Sequence, residues 1–222
     1  NWVGTSWSDW CARSRMEAAA LITHGLAPGD RVAVLGSTRP EWAIYEMAIQ
    51  LAGGVSLGIY PKQSVSQVRY ILEHSEAKVV FVESAVELVT VLEAIRDLPS
   101  VTHVVPWDDA LVSDQDEPRL VRPSGFLAGV DNPDLVDDPT RRRHRDDTAI
   151  FVYTSGTTGP PKCAMISHGN VLAVLSTQTE FLNFFEDDIS LSFLPMAHVA
   201  ERVLAFYGRI SSGIATAYAS SI

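Results

Sequence analysis

Between residues 31 and 105, short apolar runs alternate with stretches of helical spacing, and this alternation narrows the fold more than any other feature of the chain. Arg31-Val32-Ala33-Val34-Leu35-Gly36, Val55 to Tyr60, Lys78-Val79-Val80-Phe81-Val82 and Val101 to Val105 are short and almost continuously apolar. Strands of that kind are covered on both faces, as in a parallel sheet between helices. Ser6 to His24 reads as a helix closed by Gly25 and followed by the turn Ala27-Pro28-Gly29-Asp30. A second helix starts at Pro40, carries Trp42, Tyr45, Ile49 and Ala52 on one face, and stops at Gly53-Gly54. Ser64 to His74 aligns Val65, Val68 and Leu72, and the next helix aligns Ala85, Leu88, Leu92 and Ile95. Strands separated by helices pair in parallel through right-handed crossovers. The expected fold is therefore α/β and doubly wound, with mostly parallel sheets flanked by helices. The apolar helix positions are assigned to the core and to no ligand.

Residues 107–147 break this pattern. They hold eleven acidic residues, six basic residues and four prolines without periodicity, so a long surface excursion or linker is expected. Its locally basic run, Arg141-Arg142-Arg143-His144-Arg145, is flanked by acidic residues and reads as solvated. Regular structure resumes with the strand Thr148 to Tyr153. A strand-like piece Ala164-Met165-Ile166-Ser167, a helix from about 169 to 183, a strand at 189–194 and a helix from about Ala197 follow. Residues 213–219 read as a strand that has barely begun, so the chain is expected to be a fragment.

With 222 residues, 46% of them hydrophobic, a well-buried core is within reach. A net charge of −10 argues against a nucleic-acid surface, which needs a basic stripe. Cys11 and Cys163 are too few and too far apart for a disulfide framework or a zinc site, and they point to a reducing compartment. No apolar run approaches the roughly 18–20 residues of a transmembrane helix.

Chemistry concentrates in residues 153–170. Thr154, Ser155, Thr157 and Thr158 supply four hydroxyls, Gly156 and Gly159 free the backbone, and Lys162 adds a mobile positive charge within nine positions. Glycines let backbone N–H groups approach a ligand, hydroxyls add neutral donors, and the set suits a polyphosphate. The same residue types also build ordinary polar hairpin turns. The segment is not a Walker A element, because Lys162 follows Pro161 and precedes Cys163 instead of Ser or Thr. A second polar group, His198, Glu201 and Arg202, sits in the apolar stretch 194–203 just past a strand, where ligands of open α/β sheets bind. By itself His198 reads more readily as a structural histidine, and Glu201 and Arg202 as an exposed helix face.

Thr154-Ser155-Gly156-Thr157-Thr158-Gly159 with Lys162, continued by Ser167-His168-Gly169-Asn170, resembles the phosphate-binding signature of the adenylate-forming (AMP-dependent synthetase/ligase) superfamily. One departure is Cys163, where that family commonly has glycine. Leu194-Pro195-Met196-Ala197-His198-Val199-Ala200-Glu201-Arg202 is similar to the corresponding segment of long-chain fatty acid:CoA ligases. Trp42 in Arg39-Pro40-Glu41-Trp42, Gly54-Val55, Tyr60-Pro61 and 78–82 extend the likeness over nearly the whole chain.

The resemblance implies the N-terminal part of an adenylation domain, spanning 1–222. It implies activation of a long-chain fatty acid by ATP to an acyl-adenylate, then transfer to coenzyme A. Thr154, Ser155, Gly156, Thr157, Thr158, Gly159 and Lys162 would hold the phosphates, with Lys162 and His198 in catalytic roles. No metal ligand is assigned in the chain. The protein ligand of Mg2+, the ribose-binding aspartate and a small C-terminal domain are expected beyond Ile222. A cytoplasmic location follows, free or peripheral at a membrane. Two alternatives stay open: a fatty acyl-AMP ligase that does not use CoA, and a truncated, non-catalytic remnant.

Overall fold

The computed structural model describes residues 3–112, 117–138, 141–154, 160–182, 184–185 and 187–219. Helix α1 (Trp7–Thr23) starts where the Ser6 hydroxyl accepts the Asp9 N–H, and strand β1 (Arg31–Leu35) follows the Gly25 and Gly29 turns. Helix α2 (Pro40–Ala52) has proline in its first turn and ends at Gly53, whose φ of 86° is left-handed. Strand β2 (Val55–Ile59) leads to α3 (Val65–Ser75), opened by a reciprocal capping box between Ser64 and Gln67. Then come β3 (Val79–Val82), α4 (Ala85–Ala94) and β4 (His103–Pro106).

These strands form one sheet in the order β4-β3-β1-β2, all parallel, extended by β5 (Thr148–Thr154) alongside β2 and by β6 (Lys162–Ser167). Among the described strands of this sheet only the β5–β6 pair is antiparallel, so β5 and β6 form the stem of a hairpin at the sheet's edge. Alternation divides the side chains of the parallel strands between two cores. Val32, Val34, Val79 and Phe81 meet α1, α2 and Phe126, whereas Ala33, Leu35, Leu57, Val80 and Val82 meet α3 and α4. Trp42, Tyr45, Ile49 and Ala52 are buried in the first core, as their spacing requires.

Helix α6 (His168–Phe181) covers the β5 end of the sheet through Val171, with Ala149, Ile150 and Val152 below it. A separate pair of parallel strands, β7 (Ile189–Ser192) and β8 (Ala215–Tyr218), is connected by a π-helical segment (Ala200–Phe206) that runs into α7 (Tyr207–Ser212). The helix expected from about Ala197 is therefore wound as a π-helix over its first turns.

Between β4 and β5 the described residues form a 3-10 turn (Asp109–Leu111), the short helix α5 (Pro123–Leu127) and a second 3-10 turn (Pro133–Asp137). Arg15 on α1 holds Asp134 at 2.8 Å and Asp137 at 3.0 Å, and Phe126 is fully buried. The basic run is not simply solvated. Arg141 donates to the carbonyls of Leu26 and Ala52, at 3.2 and 2.9 Å. Arg143 is half-buried against Gly53, a position where any Cβ would collide with its guanidinium.

Candidate active site

Because β5 runs parallel to β2, its last residue, Thr154, lies at the carboxyl edge of the sheet. Thr154 pairs directly with Lys162 across the hairpin, and both side chains are exposed. Ser155, Gly156, Thr157, Thr158 and Gly159 lie outside the described residues. The hairpin thus brings the two ends of the signature together at the edge where open α/β sheets bind their ligands.

The His198 segment reaches the same edge. Thr38, just past β1, donates its hydroxyl to the Leu194 carbonyl at 2.6 Å and accepts the Met196 N–H at 3.1 Å. Ala197 packs against Gly58 of β2 so closely that a Cβ on the glycine would come within 2.7 Å of the Ala197 Cα. His198 is exposed, and its Nδ1 accepts the Ala200 N–H at 3.1 Å. With Nδ1 occupied as an acceptor, the ring proton sits on Nε2. The ring therefore offers an N–H donor outward.

Glu201 and Arg202 are not an exposed helix face, since they are 2% and 1% exposed. Glu201 turns toward the small sheet, accepting from Ser192 at 2.6 Å and from Arg209 at 2.6 Å, while Arg209 also donates to Ser190 at 2.8 Å. Arg202 turns the other way, toward β2 and α2, donating Nε to the Met196 carbonyl at 3.2 Å with the Glu46 carboxylate 3.8 Å off. Glu46 also accepts from Ser56 and Tyr207, each at 2.8 Å. Burial of ions is tolerated only with partners, and here the set is incomplete: both Nη groups of Arg202 and Oε2 of Glu46 make no hydrogen bond among the described residues. These two adjacent charges each need a partner on a different side, and the π-helical segment carries both. Burial raises the Tyr60 phenol, and Arg202 partly offsets that rise.

At the base of the hairpin, burial raises the Tyr153 phenol well above its ordinary range, with Cys163 adding to the effect, and burial raises the Cys163 thiol too. Cys163, opposite Tyr153 in the ladder, is thus a packing residue of the stem. Sequence reasoning missed Thr38, which ties the His198 segment to β1. It also missed Glu46, which partners Arg202. Nothing local in the sequence marks either contact.

Residues 1–221 match the family model for AMP-binding enzymes. The chain belongs to the AMP-binding enzyme family. Among curated members it is 30% identical over 224 residues to the long-chain-fatty-acid–CoA ligase ACSBG2 of Xenopus laevis, covering 98% of this chain and 30% of that protein. It is 31% identical over 217 residues to the long-chain-fatty-acid–CoA ligase FadD15 of Mycobacterium bovis, covering 96% of this chain and 35% of that protein. The chain thus spans about a third of the length of these relatives. Among solved structures of AMP-binding enzymes, the inhibitor-bound N-terminal domain of FACL13 from Mycobacterium tuberculosis superposes with a TM-score of 0.81 at 25% identity, over 99% of this chain and 51% of that one. ATP-bound MatB from Rhodopseudomonas palustris superposes at 0.75 and 23% identity, over 97% of this chain and 40% of that one, and shares the fold.

Proposed function

We propose that the full-length protein carrying this segment activates a long-chain fatty acid with ATP and passes the acyl group to coenzyme A. The observation that carries the reading is the hairpin stem, which sets Thr154 beside Lys162 at the carboxyl edge of the sheet, close to the segment bearing His198. The similarity to long-chain-fatty-acid–CoA ligases supports the substrate class.

In the first step a carboxylate oxygen attacks the α-phosphorus of ATP, and the bond to pyrophosphate breaks. The carboxylate is already ionised near neutral pH, so the protein must position two anions and stabilise the leaving pyrophosphate instead of removing a proton. The signature residues Thr154, Ser155, Gly156, Thr157, Thr158 and Gly159 would supply neutral donors, and Lys162 the positive charge. The outward Nε2–H of His198 would orient the acyl carboxylate. In the second step the CoA sulfur attacks the acyl carbon, AMP departs, and the thiol proton passes to solvent. Mg2+, when bound, would supply further positive charge to the phosphates alongside Lys162. As the resemblance to adenylate-forming enzymes implies, its protein ligand is proposed to come from outside this segment. No described helix is long and apolar enough to cross a membrane, and the proposed setting is cytoplasmic, free or peripheral to a lipid surface.

The test is Lys162→Ala in the full-length protein, read by palmitate-dependent exchange of pyrophosphate into ATP. Losing a hydrogen bond to a charged group costs about 1–3 kcal/mol, which is roughly a 5- to 150-fold drop in kcat/KM. Unchanged exchange would remove the loop from the reaction. Adenylate that accumulates and is not consumed on adding CoA would replace the CoA ligase by an acyl-AMP ligase.

A further inference from the structure

The base of the signature hairpin is held from outside by one helix. Tyr70 and His74 lie four positions apart on α3, so they share a face. Their rings stack with centroids 5.5 Å apart at 25°. The Tyr70 hydroxyl donates to the Pro161 carbonyl at 2.9 Å, and Pro161 immediately precedes Lys162. His74 Nδ1 meets the Tyr153 hydroxyl at 2.9 Å, with the rings edge to face 5.7 Å apart, and Tyr153 immediately precedes Thr154. One stacked pair therefore reaches both sides of the hairpin stem, Tyr153 on β5 and Pro161 just before β6.

This arrangement is more than packing. The outer strand β6 has a ladder partner on one side only, so its start is fixed by β5 alone unless something else holds it. A hydroxyl on the carbonyl just before Lys162 fixes the peptide plane from which the lysine departs. The second contact fixes the strand that Thr154 ends. Helix α3 is itself anchored by its capping box and by Val68, Ile71 and Leu72, all buried. The clamp is thus mounted on a rigid element, and a phosphate loop gains most from such mounting because ordering it beforehand lowers the cost of binding.

We infer that Tyr70 and His74 are positioning residues which, through Pro161 and Tyr153, hold Lys162 and Thr154 in the geometry that receives the phosphates of ATP. The inference rests on the proposed role of the loop in phosphate binding. Neither residue touches substrate in this scheme.

Tyr70→Phe and Tyr153→Phe each remove one hydroxyl and leave the rings in place, so they test the contacts without emptying the core. In the full-length protein either variant should raise KM for ATP about 5- to 10-fold, the worth of one neutral hydrogen bond. KM for the fatty acid and the melting temperature should stay at wild-type values. His74→Asn, which keeps a polar atom near the Nδ1 position, should retain more ATP affinity than His74→Ala. Amides of Tyr153, Thr154, Lys162 and Cys163 should exchange with deuterium faster in both hydroxyl-deleted variants, and amides of β1 to β4 should not. Wild-type KM for ATP in both variants would overturn the inference. So would a rise in both KM values accompanied by a lower melting temperature, because that marks general support of the fold. Were Lys162→Ala also silent, the phosphate reading itself would fail. The exchange measurement would then still decide whether the clamp holds the hairpin, and unchanged exchange would overturn it.

Discussion

At the residue scale the polar side chains inside this molecule decide more than their number suggests. Sequence alone left Glu201 and Arg202 as an adjacent charged pair on a helix, and such pairs ordinarily face water. Their partners, Arg209, Ser192 and Glu46, come from three separate elements, and no local pattern announces them. Glu17 on α1 carries a cost of the opposite kind. Loss of water pushes its carboxyl up to about 7, against the opposing pull of Arg13, from an ordinary value of 4.5. Between those values the folded state keeps a proton that the unfolded chain has released, so stability falls as pH rises from about 4.5 to about 7 and stays lower above that. Glu17→Gln should remove this slope and stabilise the protein by about 1–3 kcal/mol at pH 8, with a much smaller gain at pH 5. Urea denaturation of both proteins at the two pH values checks it, and equal gains at both would assign the effect to something other than ionisation.

At the scale of elements, strands β1 to β4 and helices α1 to α4 were legible because each signal is local and repeated. The continuous apolar runs, the Ser6 and Ser64 caps, Pro40 at a helix start and Gly53 at its end all agree with the final structure. The hairpin was legible too, from two strand-like runs around a glycine-rich loop. The π-helical segment was not, because nothing local in the sequence distinguishes its winding from an ordinary helix. Nor was the role of Arg141, which satisfies the carbonyls of Leu26 and Ala52 from more than eighty residues away. Gly58 joins the legible and hidden parts. A methyl there would meet the Ala197 backbone and the Arg202 guanidinium, and backbone yields less readily than a side chain. Gly58→Ala should therefore destabilise the fold by about 1–3 kcal/mol, as overpacking does. On the proposed function, because Ala197 is the neighbour of His198, it should also lower adenylation per folded molecule of the full-length protein. Chemical denaturation and active-site titration separate the two effects.

On the scale of the whole molecule, the apolar surface is unevenly spread. Phe181, Phe185, Ile189 and Leu191 are 77%, 62%, 73% and 50% exposed around the end of α6 and strand β7, whereas α1 to α4 keep their large side chains mostly inside. Clustered exposed apolar groups of this size favour association. The 222-residue chain expressed alone should sediment as a concentration-dependent mixture of oligomers, and Phe181→Ser with Ile189→Ser should shift it toward monomer. The signature stood out in the sequence because its residue types are few and specific, while the surroundings of its stem did not, because they come from α3 and from the segment after β7. The polar knot of Glu46, Ser56, Arg202 and Tyr207 has an evolutionary consequence as well. Removing either ion alone strands its partner in a dry interior, whereas replacing both with apolar groups can be neutral. A lineage leaves this arrangement most readily by changing the pair together, so positions 46 and 202, far apart in the chain, are expected to change together among relatives.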